Sequence, residues 1–185
     1  MFLNIITPCT RPNNLFEIAK SINIPPEQYR WIVVFDGYEA PTDIPKECEL
    51  HVVKVYGSVF GNGQRNYGID LVEKGHGYFN DDDTTIHPEL WDNIKHLDDK
   101  YFISFSQVNK DGSFRLKGNI IANGYIDSHN FILSKECIAD RRWQLDKYEA
   151  DGLFAQACHR KALNWEFIPK VLSVYNSLKK KSPLL

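Results

Sequence analysis

Three consecutive carboxylates, Asp81, Asp82 and Asp83, follow the aromatic pair Tyr78-Phe79 and precede a Pro-initiated helical segment at Pro88. Like charges this close repel one another, so an ordered form of the segment needs a cation, hydrogen-bond donors or solvent around it. Hard oxygen ligands suit Mg²⁺ or Mn²⁺, ions that carboxylates commonly share with substrate phosphates. The triplet therefore reads in two ways: as a metal-diphosphate site, or as a solvated acidic turn capping the next helix, since Asp and Thr are good N-cap residues. Only its position among other elements can choose between them.

Those elements follow one another as strand and helix patterns. Residues 2–7 form a short apolar run stopped by Thr7-Pro8-Cys9-Thr10-Arg11-Pro12, and Asn13-Asn14 offers an N-cap to a helix whose apolar face is Leu15, Ile18, Ala19 and Ile22. Pro25-Pro26 ends that helix, and residues 29–35 form a second buried strand closed by Asp36-Gly37. Strand, helix, strand implies a parallel pair, and ligands of such sheets collect beyond the carboxyl ends of the strands. Thr7, Arg11 and Asp36 fall at that edge. A loop, a third strand at 51–56, a glycine-containing turn at 57–63 and a helix entered through Gln64-Arg65-Asn66-Tyr67-Gly68 come next. Tyr78-Phe79 is then a fourth strand with the Asp triplet at its carboxyl end, followed by a helix over 88–97. Beyond it the patterns predict a strand at 101–108, a turn into 114–116 and a short apolar run at 131–133. A short helix from Ser134, a longer amphipathic helix over 146–163 and a last strand at 167–175 complete the chain. Pro169 near the start of that last strand suits an edge position.

With 185 residues, 43% of them hydrophobic, the chain is long enough for one α/β domain with a substantial core. A net charge of −2 gives no basic field for nucleic acid. The Lys179-Lys180-Lys181 run reads as a solvated tail, with a peripheral membrane or polyanion contact as its second reading. Cys9, Cys48, Cys137 and Cys158 are widely spaced and form no CxxC pair, the pattern of reduced thiols. No apolar run approaches the ~20 residues needed to span a bilayer, so a soluble cytoplasmic protein is expected. His51, His76, His87 and His96 stand at no metal-ligand spacing.

Ile5-Ile6-Thr7-Pro8 with Arg11-Pro12, Trp31-Ile32-Val33-Val34-Phe35-Asp36-Gly37, Gln64-Arg65-Asn66-Tyr67-Gly68 and Tyr78-Phe79-Asn80-Asp81-Asp82-Asp83 occur in this order. Together they resemble the GT-A fold glycosyltransferases over nearly the whole chain. The nearest likenesses are the bacterial family 2 type and the animal glucuronyltransferases, with their Trp-Ile-Val-Val, Gln-Arg-Asn and Asp-Asp-Asp segments. The resemblance implies a single-domain, Rossmann-like mixed sheet flanked by helices, with a nucleotide-sugar-binding half over 1–100 and an acceptor and catalytic-base half over 101–185.

It also implies a nucleoside-diphosphate sugar donor, a UDP-sugar first, with Mn²⁺ or Mg²⁺, and a glycan or small-molecule acceptor in polysaccharide biosynthesis. Asp83 is the first choice of metal ligand and Asp81 the second; Asp81 and Asp82 would otherwise bind ribose or donor sugar, or hold Arg65. Thr7, Pro8 and Arg11 would form the nucleotide loop, Asp36 would accept from the base, and Asp127 and His129 would line the sugar and acceptor pocket. Each has a plainer structural reading too: Asp36 as a turn residue before Gly37, Arg65 as a helix-start ion pair and Asp127-Ser128-His129-Asn130 as a strand-joining turn. An inverting transfer needs a base for the acceptor hydroxyl. Asp151 matches the family's acidic motif, with Glu149 as competitor because Ala150 splits the usual pair; both also complement a helix dipole. A nucleotidyltransferase on the same scaffold is disfavoured by Thr-Arg-Pro after the first strand. A non-catalytic sugar- or nucleotide-binding module, or an acceptor side completed by a second copy of the chain, is the remaining alternative.

Overall fold

The computed structural model describes residues 1–37 and 39–178. The Lys179-Lys181 run lies outside them.

Eight strands share one mixed sheet in the order β3-β2-β1-β4-β7-β5-β6, with β8 also paired to β5. β1 (Leu3–Cys9), β2 (Tyr29–Asp36), β3 (Cys48–Val53) and β4 (His76–Phe79) are mutually parallel, as the crossover pattern requires. β7 (Phe131–Ser134) runs antiparallel to both β4 and β5 (Phe102–Asn109), and β6 (Phe114–Leu116) is antiparallel to β5. β8 (Trp165–Tyr175) lies parallel to β5.

Both faces of the central strands are covered, which explains their near-continuous apolar sequences. Alternate side chains go to opposite faces. Ile6, Ile32, Val34 and Phe79 pack into one core with the helices α2 (Asn62–Asp70), α4 (Lys135–Ile138) and α5 (Ala150–His159). Leu3, Ile5, Trp31, Val33 and Tyr78 pack into the other, against α1 (Leu15–Ser21) and α3 (Leu90–Ile94). Gly68 lets α2 lie directly on β1, because a Cβ there would stand 2.4 Å from Ile6 Cγ2.

Some boundaries differ from the sequence expectations. The third strand begins earlier and ends at Val53, because its partner β2 offers pairing only from Trp31 to Asp36. α5 is shorter than the predicted 146–163 helix: the carbonyls of Gln144, Leu145 and Lys147 accept from the Asn62 side chain, so this stretch is held as a loop. Asn14 makes no cap bond; its amide donates to the Asp82 carbonyl at 2.8 Å. Ser134 does cap α4, accepting from Cys137 N at 3.1 Å. β8 is an edge strand, and its register with β5 jumps from Ile168 to Val171 across Pro169.

The chain leaves β1 toward β2 on one side, and β4 later adds to the other. This reversal makes a crevice at the carboxyl ends of β1 and β4, where doubly wound sheets bind ligands.

Candidate active site

The Asp triplet projects from the end of β4 into this crevice, and its three carboxylates have different partners. Asp82 is buried and accepts from the backbone amides of Thr10 (2.6 Å) and Arg11 (2.7 Å), from Arg11 Nε (2.8 Å) and from Arg11 Nη2. The loop after β1 is thereby clamped to the end of β4. Both Asp82 oxygens are thus engaged by protein donors.

Asp81 meets Arg65 Nη2 from α2. The Arg65 guanidinium also donates to the Phe60 carbonyl at 2.7 Å and lies 4.7 Å above the Trp143 ring. Trp143 is in turn pinned to α2 by reciprocal bonds with the Asn66 side chain, 2.7 and 2.9 Å. On its other side Asp81 faces His129. Burial opposes charge on His129, yet Asp81 and Asp127 on either side raise its pKa to about 10. Its Nδ1 lies 2.7 Å from Asp127 Oδ1 and its Nε2 3.3 Å from Asp81 Oδ2. The Asp81 amide also approaches Nε2 at 3.0 Å, a contact suited to a neutral ring. Two flanking carboxylates favour the imidazolium, which donates to both. Burial pushes the Asp81 carboxyl up, but Arg65 and His129 outweigh it and hold it at about 2. Asp127 is depressed similarly: His129 and Arg115 outweigh its burial. Arg115 Nη1 donates to Asp127 Oδ2 at 2.9 Å, and the guanidinium stacks 3.7 Å from the Tyr175 ring centroid.

The contacts of Asp83 are moderate in length, 3.0–3.2 Å. Thr84 Oγ1 donates to Oδ1 at 3.2 Å, and Arg11 Nη2 lies 3.0 Å from Oδ2. The side-chain amide of Asn176, at the end of β8, faces both Asp83 oxygens at 3.2 Å. With nitrogen toward them it donates to the carboxylate. With oxygen toward them, Asn176 and Asp83 present hard donors to a common point, as a shared cation requires.

The three carboxylates of the triplet, Arg11, Arg65, Arg115, Asp127, Tyr175 and Asn176 line a cavity of about 620 Å³ that also receives Pro8, Asp36, Glu149 and Asp151. Asp36 is partly exposed, with Lys54 Nζ 3.1 Å away. Glu149, at the N-cap position of α5, is exposed and makes no cap bond. Asp151, two residues further on, is partly buried; burial and the nearby Asp127 and Asp81 charges raise its pKa to about 6. Gly152 lets this helix start approach the loop at Asn123, where a Cβ would meet Asn123 Cα at 2.7 Å.

The structure thus brings Pro8, Arg11, Asp36, Arg65, Asp81, Asp82, Asp83, Asp127, Glu149 and Asp151 to one cavity. Two expected binding residues do not reach it. Thr7 is fully buried and accepts from Trp31 Nε1 at 3.0 Å, because alternation along β1 turns it into the core. His129 is buried behind the cavity wall as the bridge between Asp81 and Asp127, so it positions carboxylates instead of reading a sugar. Arg115, Tyr175 and Asn176 were not singled out by sequence. Arg115 stands on β6, Tyr175 is the last residue of β8 and Asn176 follows it; β8 reaches β5 from far along the chain, and only the charge of Arg115 in an otherwise apolar segment was available as a signal.

Among the described residues, no group of three or more His, Cys, Asp or Glu is arranged to hold a metal ion by itself. Asp81, engaged by two cationic partners, is the poorer of the two expected ligands. Asp83 fits a cation whose remaining ligands come from a diphosphate and water, the usual arrangement for Mg²⁺ and Mn²⁺.

No family model and no curated protein matches the chain in sequence. Solved structures do match in fold. S. aureus TarS, residues 1–349, superposes with a TM-score of 0.72 at 17% identity, covering 94% of this chain and 60% of that one. The same TarS fragment in complex with UDP-GlcNAc gives 0.73 at 16% identity, covering 99% and 60%. The mannosyltransferase PcManGT from Pyrobaculum calidifontis, in complex with GDP-Man and Mn²⁺, gives 0.67 at 12% identity, covering 94% and 56%. The chain therefore has the GT-A glycosyltransferase fold, and it spans about 60% of the length of these structures.

Proposed function

We propose that the protein is a metal-dependent, inverting glycosyltransferase that moves a sugar from a nucleoside-diphosphate donor, a UDP-sugar first, to a hydroxyl of a glycan or small acceptor. The observation that carries this reading is the pairing, in one cavity, of the cation-suited Asp83 with a partly buried carboxylate, Asp151, poised at about 6. The UDP-GlcNAc complex of TarS and the GDP-Man and Mn²⁺ complex of PcManGT, on the same fold, support a nucleotide-sugar donor. Within this reading we assign residues 1–100 mainly to donor binding and 101–185 mainly to the acceptor and the base.

In this reading Asp36 and Pro8 receive the nucleoside end. Asp83, with the Asn176 side chain beside it, would hold the cation. When bound, that cation supplies Lewis-acid neutralisation of charge on the departing diphosphate. The carboxylate excess of the cavity fits such a requirement: seven carboxylates line it against the guanidiniums of Arg11, Arg65 and Arg115. A diphosphate entering alone would be repelled. Arg65 fixes Asp81, and His129 fixes Asp81 and Asp127, keeping these side chains rigid around the donor sugar. Asp151 takes the proton of the acceptor hydroxyl as its oxygen bonds to the anomeric carbon and the bond from that carbon to the diphosphate oxygen breaks. Asp151 is preferred to Glu149 because its elevated pKa brings it nearer neutrality, where a base is most effective.

The four free cysteines, three of them buried, agree with the reducing cytoplasm, where we place the enzyme in polysaccharide assembly. Among the described residues no helix is long and apolar enough to cross a membrane. The test is calorimetric titration with UDP, with and without Mn²⁺, followed by UDP release and anomeric analysis of product across a panel of sugar nucleotides. Metal-strengthened UDP binding and an inverted product are expected. Absence of UDP binding in both conditions would overturn the donor site, and a product of retained configuration would remove Asp151 as base.

A further inference from the structure

At the Asp151 end of the cavity two large aromatic side chains stand in solvent. Phe60 is 63% exposed and Tyr148 73% exposed, both line the cavity, and their rings meet edge to face at 5.1 Å. Exposed aromatics cost solubility, and Phe60 also adopts a left-handed backbone conformation, φ 54°, that is unfavourable for a bulky residue.

The two loops that carry them are nevertheless built to hold them together. Val59 N donates to the Leu145 carbonyl at 2.9 Å, and the buried Asn62 amide donates to the carbonyls of Gln144, Leu145 and Lys147. Phe60 itself is tied down through its carbonyl by Arg65 at 2.7 Å. The pair is thus fixed before any ligand arrives.

A rigid, exposed aromatic corner beside a base suits the C–H face of a pyranose ring, which is apolar and weakly positive where the ring is negative. The neighbouring charge narrows the choice. Glu149 follows Tyr148 directly and Asp151 comes two residues after that, while the guanidiniums of Arg65 and Arg115 are engaged by Asp81 and Asp127. Arg11, the remaining guanidinium of the lining, is engaged by Asp82, so among the described residues each arginine of the cavity wall already faces a carboxylate and a carboxylated sugar would meet like charge.

We propose that Phe60 and Tyr148 form the acceptor subsite of this protein and that the acceptor is an uncharged pyranoside. This rests on the transferase reading, and the two fail separately. The probes are methyl glucoside, methyl galactoside, methyl N-acetylglucosaminide and methyl glucuronide, added to the protein loaded with UDP and Mn²⁺ and followed by saturation-transfer NMR. At least one neutral glycoside is expected to bind through its ring C–H protons, with the glucuronide at least about tenfold weaker. Phe60→Ala and Tyr148→Ala should each weaken that glycoside about tenfold, while Phe60→Tyr and Tyr148→Phe retain it. UDP titration of each variant shows independently that the donor site is intact. In protein that binds UDP, the proposal is overturned by no binding of any neutral glycoside, by alanine variants that bind as wild type does, or by a glucuronide bound as tightly as the neutral sugars. Failure of UDP to bind wild-type protein instead removes the transferase reading on which the proposal rests.

Discussion

Of the seven carboxylates that line the cavity, Asp81, Asp82, Asp83 and Asp151 each have a different environment, and so a different expected phenotype. Asp151 acts as base only when ionised, and its pKa is raised to about 6. Turnover should therefore fall as pH drops through about 6, a limb measurable in kcat against pH. Asp151→Asn should lose about 10²–10⁴-fold in kcat with UDP affinity kept; an Asp151→Asn rate equal to wild type would reassign the base, with Glu149→Gln the next variant to measure. Asp82 carries no free oxygen, so its removal should read out in stability. Asp82→Ala strands the amides of Thr10 and Arg11 and should cost roughly 1.5–3 kcal/mol, seen as a lowered Tm. The carboxylates were legible as a local triplet because adjacency in sequence is enough to see them. Their division of labour was not, since Arg11, Arg65 and His129 come from three separate stretches of chain.

At the scale of elements, the site depends on how closely helices approach the sheet and its loops. A methyl group at Gly152 would press on Asn123 backbone at 2.7 Å and displace the start of α5, which carries Asp151. Gly152→Ala should thus lower kcat by up to about 10²-fold while leaving metal-dependent UDP affinity within a few-fold. Equal losses in both would mean that α5 positions the donor as well. The strands β1, β2 and β4 were legible because burial on both faces leaves continuous apolar runs. The limits of β3 and α5 were not. One is set by the length of its partner β2, the other by an Asn62 side chain distant in sequence that takes up the carbonyls before it.

For the whole molecule, the notable quantity is the local charge of the crevice, since the chain as a whole carries only −2. Carboxylates outnumber guanidiniums along its wall, so stripping Mn²⁺ with a chelator should weaken UDP by at least about tenfold, and re-adding it should restore binding. A UDP affinity indifferent to the chelator would show that Arg11 and Arg115 suffice for the diphosphate.

The sequence by itself determined the parallel strand and helix order and the placing of Asp36 and Asp81-Asp82-Asp83 at strand ends, because periodicity and adjacency are local properties that survive in one dimension. The tertiary structure decided which carboxylate is clamped, which is neutralised and which stays open. It turned Thr7 into the core, put His129 behind the wall, and brought in Arg115 and Asn176 from distant strands. Those outcomes depend on strand pairing and on the fields of groups far apart in the chain, and no spacing in the sequence encodes them.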